Sequence, residues 1–360
     1  MTAPDNNPPS EDNPPPDNNP PPDNNPPPGQ EPAQWNAAFD TTGLGALSSV
    51  WGSGPNDVYV VGGNGGPSPP PAAEAYHYDG AAWHTVDLSA TGGFGLVWVF
   101  GFGPSDVYAV GLGGTVLHYD GMAWTKPDAG TFRSLWGVWG SSPTDIWIVG
   151  EGPSSSQGDP NPTIIHYDGA DTFTPYSLDY PDENDRDARA LFKVWGIGSK
   201  VFAVGEKGLI VQYDATNDRW FQVFGGATAD QDFVSLWGTS ETNIVAVGGR
   251  TGARISDYGG SNWTTHQPAG VGGLNAVFMD DPAMAILGGV GGYVCHYDPS
   301  TNVPVAETSS TTTDIHAMWG DGNGRYYAVG GNFSFPFSGG VCLVRTYGDP
   351  GFTPVPPVGP

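Results

Sequence analysis

VWGSGPNDVYVVGG, from Val50, decides the fold because the chain repeats it six more times. It returns as VFGFGPSDVYAVGLGG at Val99, VWGSSPTDIWIVGEG at Val138, VWGIGSKVFAVGEKG at Val194, LWGTSETNIVAVGG at Leu236, VFMDDPAMAILGG at Val277 and MWGDGNGRYYAVGG at Met318. The aromatic second residue falls at Trp51, Phe100, Trp139, Trp195, Trp237, Phe278 and Trp319, with separations of 49, 39, 56, 42, 41 and 41. A recurring unit of about 40 residues has the length of one four-stranded propeller blade.

Each unit has a second half: AYHYDGAAWHTV from Ala75, VLHYDGMAWTKP from Val116, IIHYDGADTFTPY from Ile164, IVQYDATNDRWFQV from Ile210 and RISDYGGSNWTTH from Arg254. The four strands read as a run through Trp-Gly, a DVYVVG-like run, a run ending in His-Tyr, and a run opening at the Trp after the YDG turn. Asp and Gly supply tight turns between antiparallel strands, and β-branched and aromatic residues fill the pleats. The fold class is therefore all-β, a seven-bladed propeller over residues 35–356, with units starting near 47, 96, 135, 191, 233, 274 and 315 and a tail at 357–360.

Composition narrows the function. With 38% hydrophobic residues over 360 positions, the chain can bury a large core. Its 12 Lys plus Arg against 38 Asp plus Glu give a net charge of −26. Such a field repels nucleic-acid backbones and anionic headgroups. No apolar run of about 18 residues is present, so no transmembrane helix is expected.

Residues 1–34 repeat PPPDNN-like units with no aromatic until Trp35 and no basic residue. That composition predicts a disordered, proline-stiffened spacer. No signal sequence is visible at the start.

A strand ending in Gly-Gly, then a Tyr-Asp turn, then Trp a few residues later, resembles the kelch-like propeller repeat; YDATNDRW from Tyr213 is the nearest copy. The Trp-Gly-Ser-Pro-x-Asp element departs from that pattern and is more similar to repeats of secreted or surface-anchored bacterial proteins. Pro/Asn spacers of this sort often follow the lipid-anchored cysteine of surface lipoproteins. The resemblance thus implies an extracellular or cell-surface location with an anchor upstream, while a tail without an anchoring role fits the composition equally. Kelch-like propellers include binding modules and a few oxidases, so the fold alone does not select a function.

A propeller closes by building one blade from both chain ends. QWNAAFDTTG from Gln34 matches the fourth-strand pattern, so residues 35–40 are expected to complete the last blade through Trp35, beside Val341–Tyr347. GFTPV from Gly351 competes for the slot through Phe352, and its Pro-rich end makes it the poorer ladder partner.

Trp residues recurring in register read as blade packing rather than sugar platforms. His77, His118, His166 and His296 share one slot on different blades, too far apart to ligate one metal. Function is expected where the copies disagree, on loops. The insertions at Gly63, Glu151, Tyr176 and Gly331 all elaborate one face. Residues at the start of the inner strands should ring the channel mouth on that face. Trp98, Trp136, Phe192, Lys193, Asn275 and His316 break the pattern there and are candidate ligand contacts, with an inward plug as the alternative for the aromatics.

Arg133, Arg189, Arg250 and Arg254, together with Arg186, Lys193 and Lys207, map to the same face and could hold an oxyanion. The competing reading is that they neutralise Asp182, Glu183, Asp185 and Asp187. Asp182, Asp185 and Asp187 in DENDRD are weak Ca²⁺ candidates, lacking EF-hand spacing. No motif points to any other cofactor. Cys295 and Cys342 lie out of register, which argues against a disulfide.

The favoured function is a monomeric, non-catalytic module binding a glycan or protein ligand on the elaborated face. A sialidase- or lyase-like enzyme acting on acidic glycans and a subunit of a surface assembly are the alternatives. No catalytic residue can be named, and the chain lacks sialidase Asp-boxes.

Overall fold

The computed structural model describes residues 33–64, 71–152, 161–170, 172–179, 190–225, 231–334, 337–347 and 354–359. Seven antiparallel sheets stand around a central axis. Blade 1 runs outward through Ala46–Gly54, Asp57–Asn64, Ala72–Tyr78 and Trp83–Thr85. Blades 2 to 6 follow the same order, their innermost strands being Leu96–Gly103, Leu135–Ser142, Leu191–Ile197, Phe233–Ser240 and Leu274–Asp281.

In blade 7, Ile315–Gly320, Tyr326–Asn332 and Ser338–Tyr347 are completed by Ala33–Ala37. That strand pairs antiparallel with Ser338–Tyr347, Trp35 opposite Arg345. Two short segments add parallel outer rungs: Leu178–Asp179 on blade 4 and Thr308–Ser309 on blade 7. Phe352 lies outside the described residues.

The repeated Trp-Gly has a direct cause. At four seams the slot ring lies over the glycine of the next blade: a methyl group on Gly52 would fall 2.7 Å from Trp319, one on Gly101 or Gly196 2.6 Å from Trp51 or Trp139, and one on Gly320 2.7 Å from Phe278. The indole therefore requires the glycine one blade away, and the pair locks adjacent sheets at core packing density.

The repeated His and Asp also serve the blades. His77, His118 and His166 lie 2.6, 2.8 and 2.8 Å from Asp57, Asp106 and Asp145 at the start of each second strand. Their rings stack on Tyr59, Tyr108 and Trp147, with centroids 4.2 to 4.4 Å apart. The YDG turns are fixed by the aspartate: Asp79 Oδ1 accepts from the Ala81 and Ala82 amides at 2.8 Å, while Gly80 takes φ 91°.

The last blade, closed by the N-terminal strand, is held against blade 6 by a buried carboxylate. Trp35 is 1% exposed, and its Nε1–H donates to Glu307 at 2.8 Å. Glu307 also accepts from Arg345 Nε and Nη2 at 2.9 and 2.7 Å and meets His296 Nδ1 at 3.3 Å. Burial pushes the Glu307 carboxyl up, but hydrogen bonds from His296, Arg345 and Trp35, with the Arg345 charge, bring it down to about 2.

Farther out, the C-terminal tail lies beside blade 1. Val358 N–H donates to the Trp83 carbonyl, and Thr85 N–H to the Val358 carbonyl, both at 2.8 Å. The Asp40 amide donates to the Val355 carbonyl at 3.0 Å. The residues read from sequence as a loose tail thus extend a sheet: Val358, between Pro357 and Gly359, supplies both groups of a local ladder.

Candidate ligand site at the channel mouth

Every innermost strand carries a register shift at the same place, between residues 47/49, 96/98, 135/137, 191/193, 233/235, 274/276 and 315/317. The extra residue at each bulge is Ser48, Val97, Trp136, Phe192, Val234, Asn275 or His316. A bulge releases one residue from the ladder and re-aims its side chain. A position where the repeats differ is thus one that the backbone releases from ladder pairing.

Three of these side chains reach the neighbouring blade. Ser48 Oγ donates to the Leu96 carbonyl at 2.6 Å, Asn275 Nδ2 to the Ile315 carbonyl at 3.0 Å, and His316 Nδ1–H to the Ser48 carbonyl at 2.8 Å. The last contact crosses the closing seam and fixes the proton on Nδ1. Burial pushes the His316 pKa down, the Lys193 charge adding to it against the Ser48 hydrogen bond and Asp314, so the ring is neutral at pH 7. Phe333, from the blade 7 insertion, covers it at 4.5 Å between ring centroids.

On the opposite side, Trp136 and Phe192 form an edge-to-face pair at 6.4 Å, both half-buried. They make an aromatic wall open to solvent. Just inside lies Lys193, 1% exposed, its Nζ 3.9 Å from the centre of the Trp98 ring and 5.0 Å from that of Trp237. These residues belong to blades 4, 2 and 5, so the amine extends into the axial channel. Burial drives its pKa well below the ordinary lysine range.

The channel mouth therefore brings together Trp98, Trp136, Phe192, Lys193, Asn275 and His316. The basic residues sort differently. Arg250 Nε and Nη2 donate to Asp232 Oδ2 at 3.0 and 2.7 Å, and Asp232 Oδ1 also accepts the Lys207 amide at 2.8 Å. Arg254 is 6% exposed, lies 4.6 Å over the Phe233 ring, and donates through Nη1 to the Gln231 carbonyl at 2.8 Å. Both arginines brace the blade 4 to blade 5 connection. Arg133 is half-buried beside Thr131, Phe132 and Asn161 in a separate shallow concavity.

Arg186, Arg189, Asp182, Glu183, Asp185 and Asp187 lie outside the described residues. Among the described residues, no group of three or more His, Cys, Asp or Glu side chains could hold a metal, and no helix is long and apolar enough to cross a membrane. Cys295 and Cys342 are buried free thiols.

Sequence reasoning missed two contributors. Trp237 recurs in register and reads as core, yet its ring also flanks Lys193. Phe333 sits in an insertion with no counterpart to align, where the three Phe of GNFSFPFSGG are the only signal.

Fold and mouth together define a seven-bladed β-propeller with a ring of unlike residues at one end of its channel. No family model matches the chain, and no curated protein matches it. Among solved structures it is similar to a protein described as YCF48 bound to D1 peptide, with a TM-score of 0.62 at 14% identity over 88% of this chain and 97% of that one. It is also similar to YCF48 from Cyanidioschyzon merolae, with a TM-score of 0.60 at 14% identity over 86% and 98% of the two chains. At this identity the shared property is the fold.

Proposed function

We propose that the chain is a non-catalytic binding propeller that takes a segment of a partner protein at the mouth ringed by Trp136, Phe192, Asn275 and His316. One observation carries the reading: seven bulges bring one register position to a single opening, where it reads Ser, Val, Trp, Phe, Val, Asn and His, while repeated residues are consumed in blade packing. The fold of a peptide-bound propeller such as YCF48 supports a protein ligand. The Trp-Gly-Ser-Pro-x-Asp element and the Pro/Asn-rich composition of segment 1–34 support a place outside a bacterial cell, with that segment as a spacer from its surface.

The half-buried aromatic wall favours a second reading, a glycan stacked on Trp136 and Phe192. A displayed peptide library and a glycan array, the latter with Ca²⁺ and with chelator, separate the two. Ligands selected on the wild type should bind at least about tenfold more weakly to the double variant Trp136→Ala, Phe192→Ala, with circular dichroism unchanged. Selected ligands that bind both proteins equally, or a glycan that is cleaved, would overturn the proposal.

A further inference from the structure

Near the start of the innermost strands of blades 3, 4 and 5, three buried side-chain donors have no partner among the described residues: Trp136 Nε1, Lys193 Nζ and Ser235 Oγ. Leaving a buried donor unmade costs about 1–3 kcal/mol, more for a charged group. At the Lys193 position the other blades carry Ser49, Trp98, Gly137, Ser235, Ala276 and Ala317, so blade architecture does not demand an amine.

The surroundings specify what would satisfy it. The rings of Trp98 and Trp237 face the amine, an arrangement that favours the ammonium form, yet cation–π attraction supplies no hydrogen-bond acceptor. Among the described residues no hydrogen-bond acceptor reaches Lys193 Nζ, and no carboxylate pairs with it. The titratable neighbour is His316, whose Nδ1–H is already used on Ser48. An ammonium and an indole N–H, with aromatic walls, complement a planar anion carrying two acceptor oxygens.

We infer that the channel mouth contains a carboxylate subsite, with Lys193 Nζ as the counter-charge and Trp136 Nε1–H as the second donor. This deepens the proposed function, because a bound segment would place an acidic side chain or its C-terminal carboxylate there. A free small carboxylate has the same chemistry and can occupy the subsite without any partner.

The test follows the Trp136 indole N–H resonance of the full chain, assigned by its loss in Trp136→Phe, while sodium acetate replaces sodium chloride at constant ionic strength. Triglycine and triglycine amide form a second pair of probes. The expected result is a saturable downfield shift with acetate and an affinity more than about tenfold weaker in Lys193→Met. In Trp136→Phe, acetate stabilisation measured by thermal shift should fall several-fold while the fold is retained. A response to triglycine but not its amide assigns the subsite to chain termini; a response to acetate alone assigns it to small carboxylates, and the inference stands in either case. No saturable acetate response, or one unchanged in Lys193→Met, overturns it. Peptide binding that survives Lys193→Met while the acetate response is lost assigns the subsite to small carboxylates and leaves the binding function standing.

Discussion

Glu307→Gln tests whether the ring is held shut by a buried charge. The substitution keeps the side-chain shape and removes the carboxylate that Trp35, Arg345 and His296 surround. The gap between an ordinary 4.5 and about 2 in the folded protein, at about 1.36 kcal/mol per tenfold, corresponds to roughly 3 kcal/mol of stabilisation. Glu307 is 6% exposed and Arg345 9%, so solvent screening subtracts little. The variant also takes the Glu307 charge away from the Arg345 guanidinium, and the expected loss is about 2–4 kcal/mol.

The pH dependence distinguishes this from a packing defect. Because the folded pKa is depressed, the contribution is complete above about 4.5 and disappears as pH falls toward about 2. Urea unfolding midpoints of wild type and variant should therefore be well separated at neutral pH and draw together near the lower limit. The other carboxylates titrate in both proteins and cancel in the comparison. A difference below about 0.5 kcal/mol at neutral pH, or a gap that does not narrow in acid, refutes the assignment.

In carboxylate-free buffer, Lys193→Met should raise stability by about 1–3 kcal/mol at neutral pH, since it replaces a buried unpaired amine with an apolar chain of similar length. The folded amine has a pKa below the unfolded 10.5, so the unfolded chain holds the proton more readily and the gain should shrink as pH rises toward 10.5, measured by urea midpoints. Burial pushes the Cys295 thiol up to about 12 and Cys342 higher still. Neither should react with an aromatic disulfide reagent in the native protein, and both should titrate once it is unfolded without reductant; fast native labelling would contradict their burial.

The blades were legible because packing rules that recur seven times leave a seven-fold trace. Trp51 and Gly101, or Trp139 and Gly196, are partners across a seam, and several blades reuse the pair, so alignment exposes what one copy would hide. The ring of candidate residues was legible for the opposite reason, since Trp136, Phe192, Asn275 and His316 occupy one register position with nothing in common. What distance in the ring brings together was not. Lys193 meets Trp98 two blades back in the ring, and no spacing announces a contact made across a channel. Glu307 sits in a connection without a repeat counterpart, and its partners come from both ends of the chain. The Pro-rich end around Val358 reads as a poor ladder partner because proline lacks an N–H, but one valine was enough.

The bulges described above separate two inheritances within one strand. A substitution at Trp139 or Gly196 must be answered by the blade beside it, whereas Ser48, Val97, Trp136, Phe192, Val234, Asn275 and His316 are left out of the ladder's own pairing. Duplicated blades can drift at that one position without breaking the ladder, and three of the seven have used that freedom to bond the next blade. The same seven positions offer a designer a compact library: one codon per blade, all converging on a single opening, in a scaffold whose stability is written elsewhere.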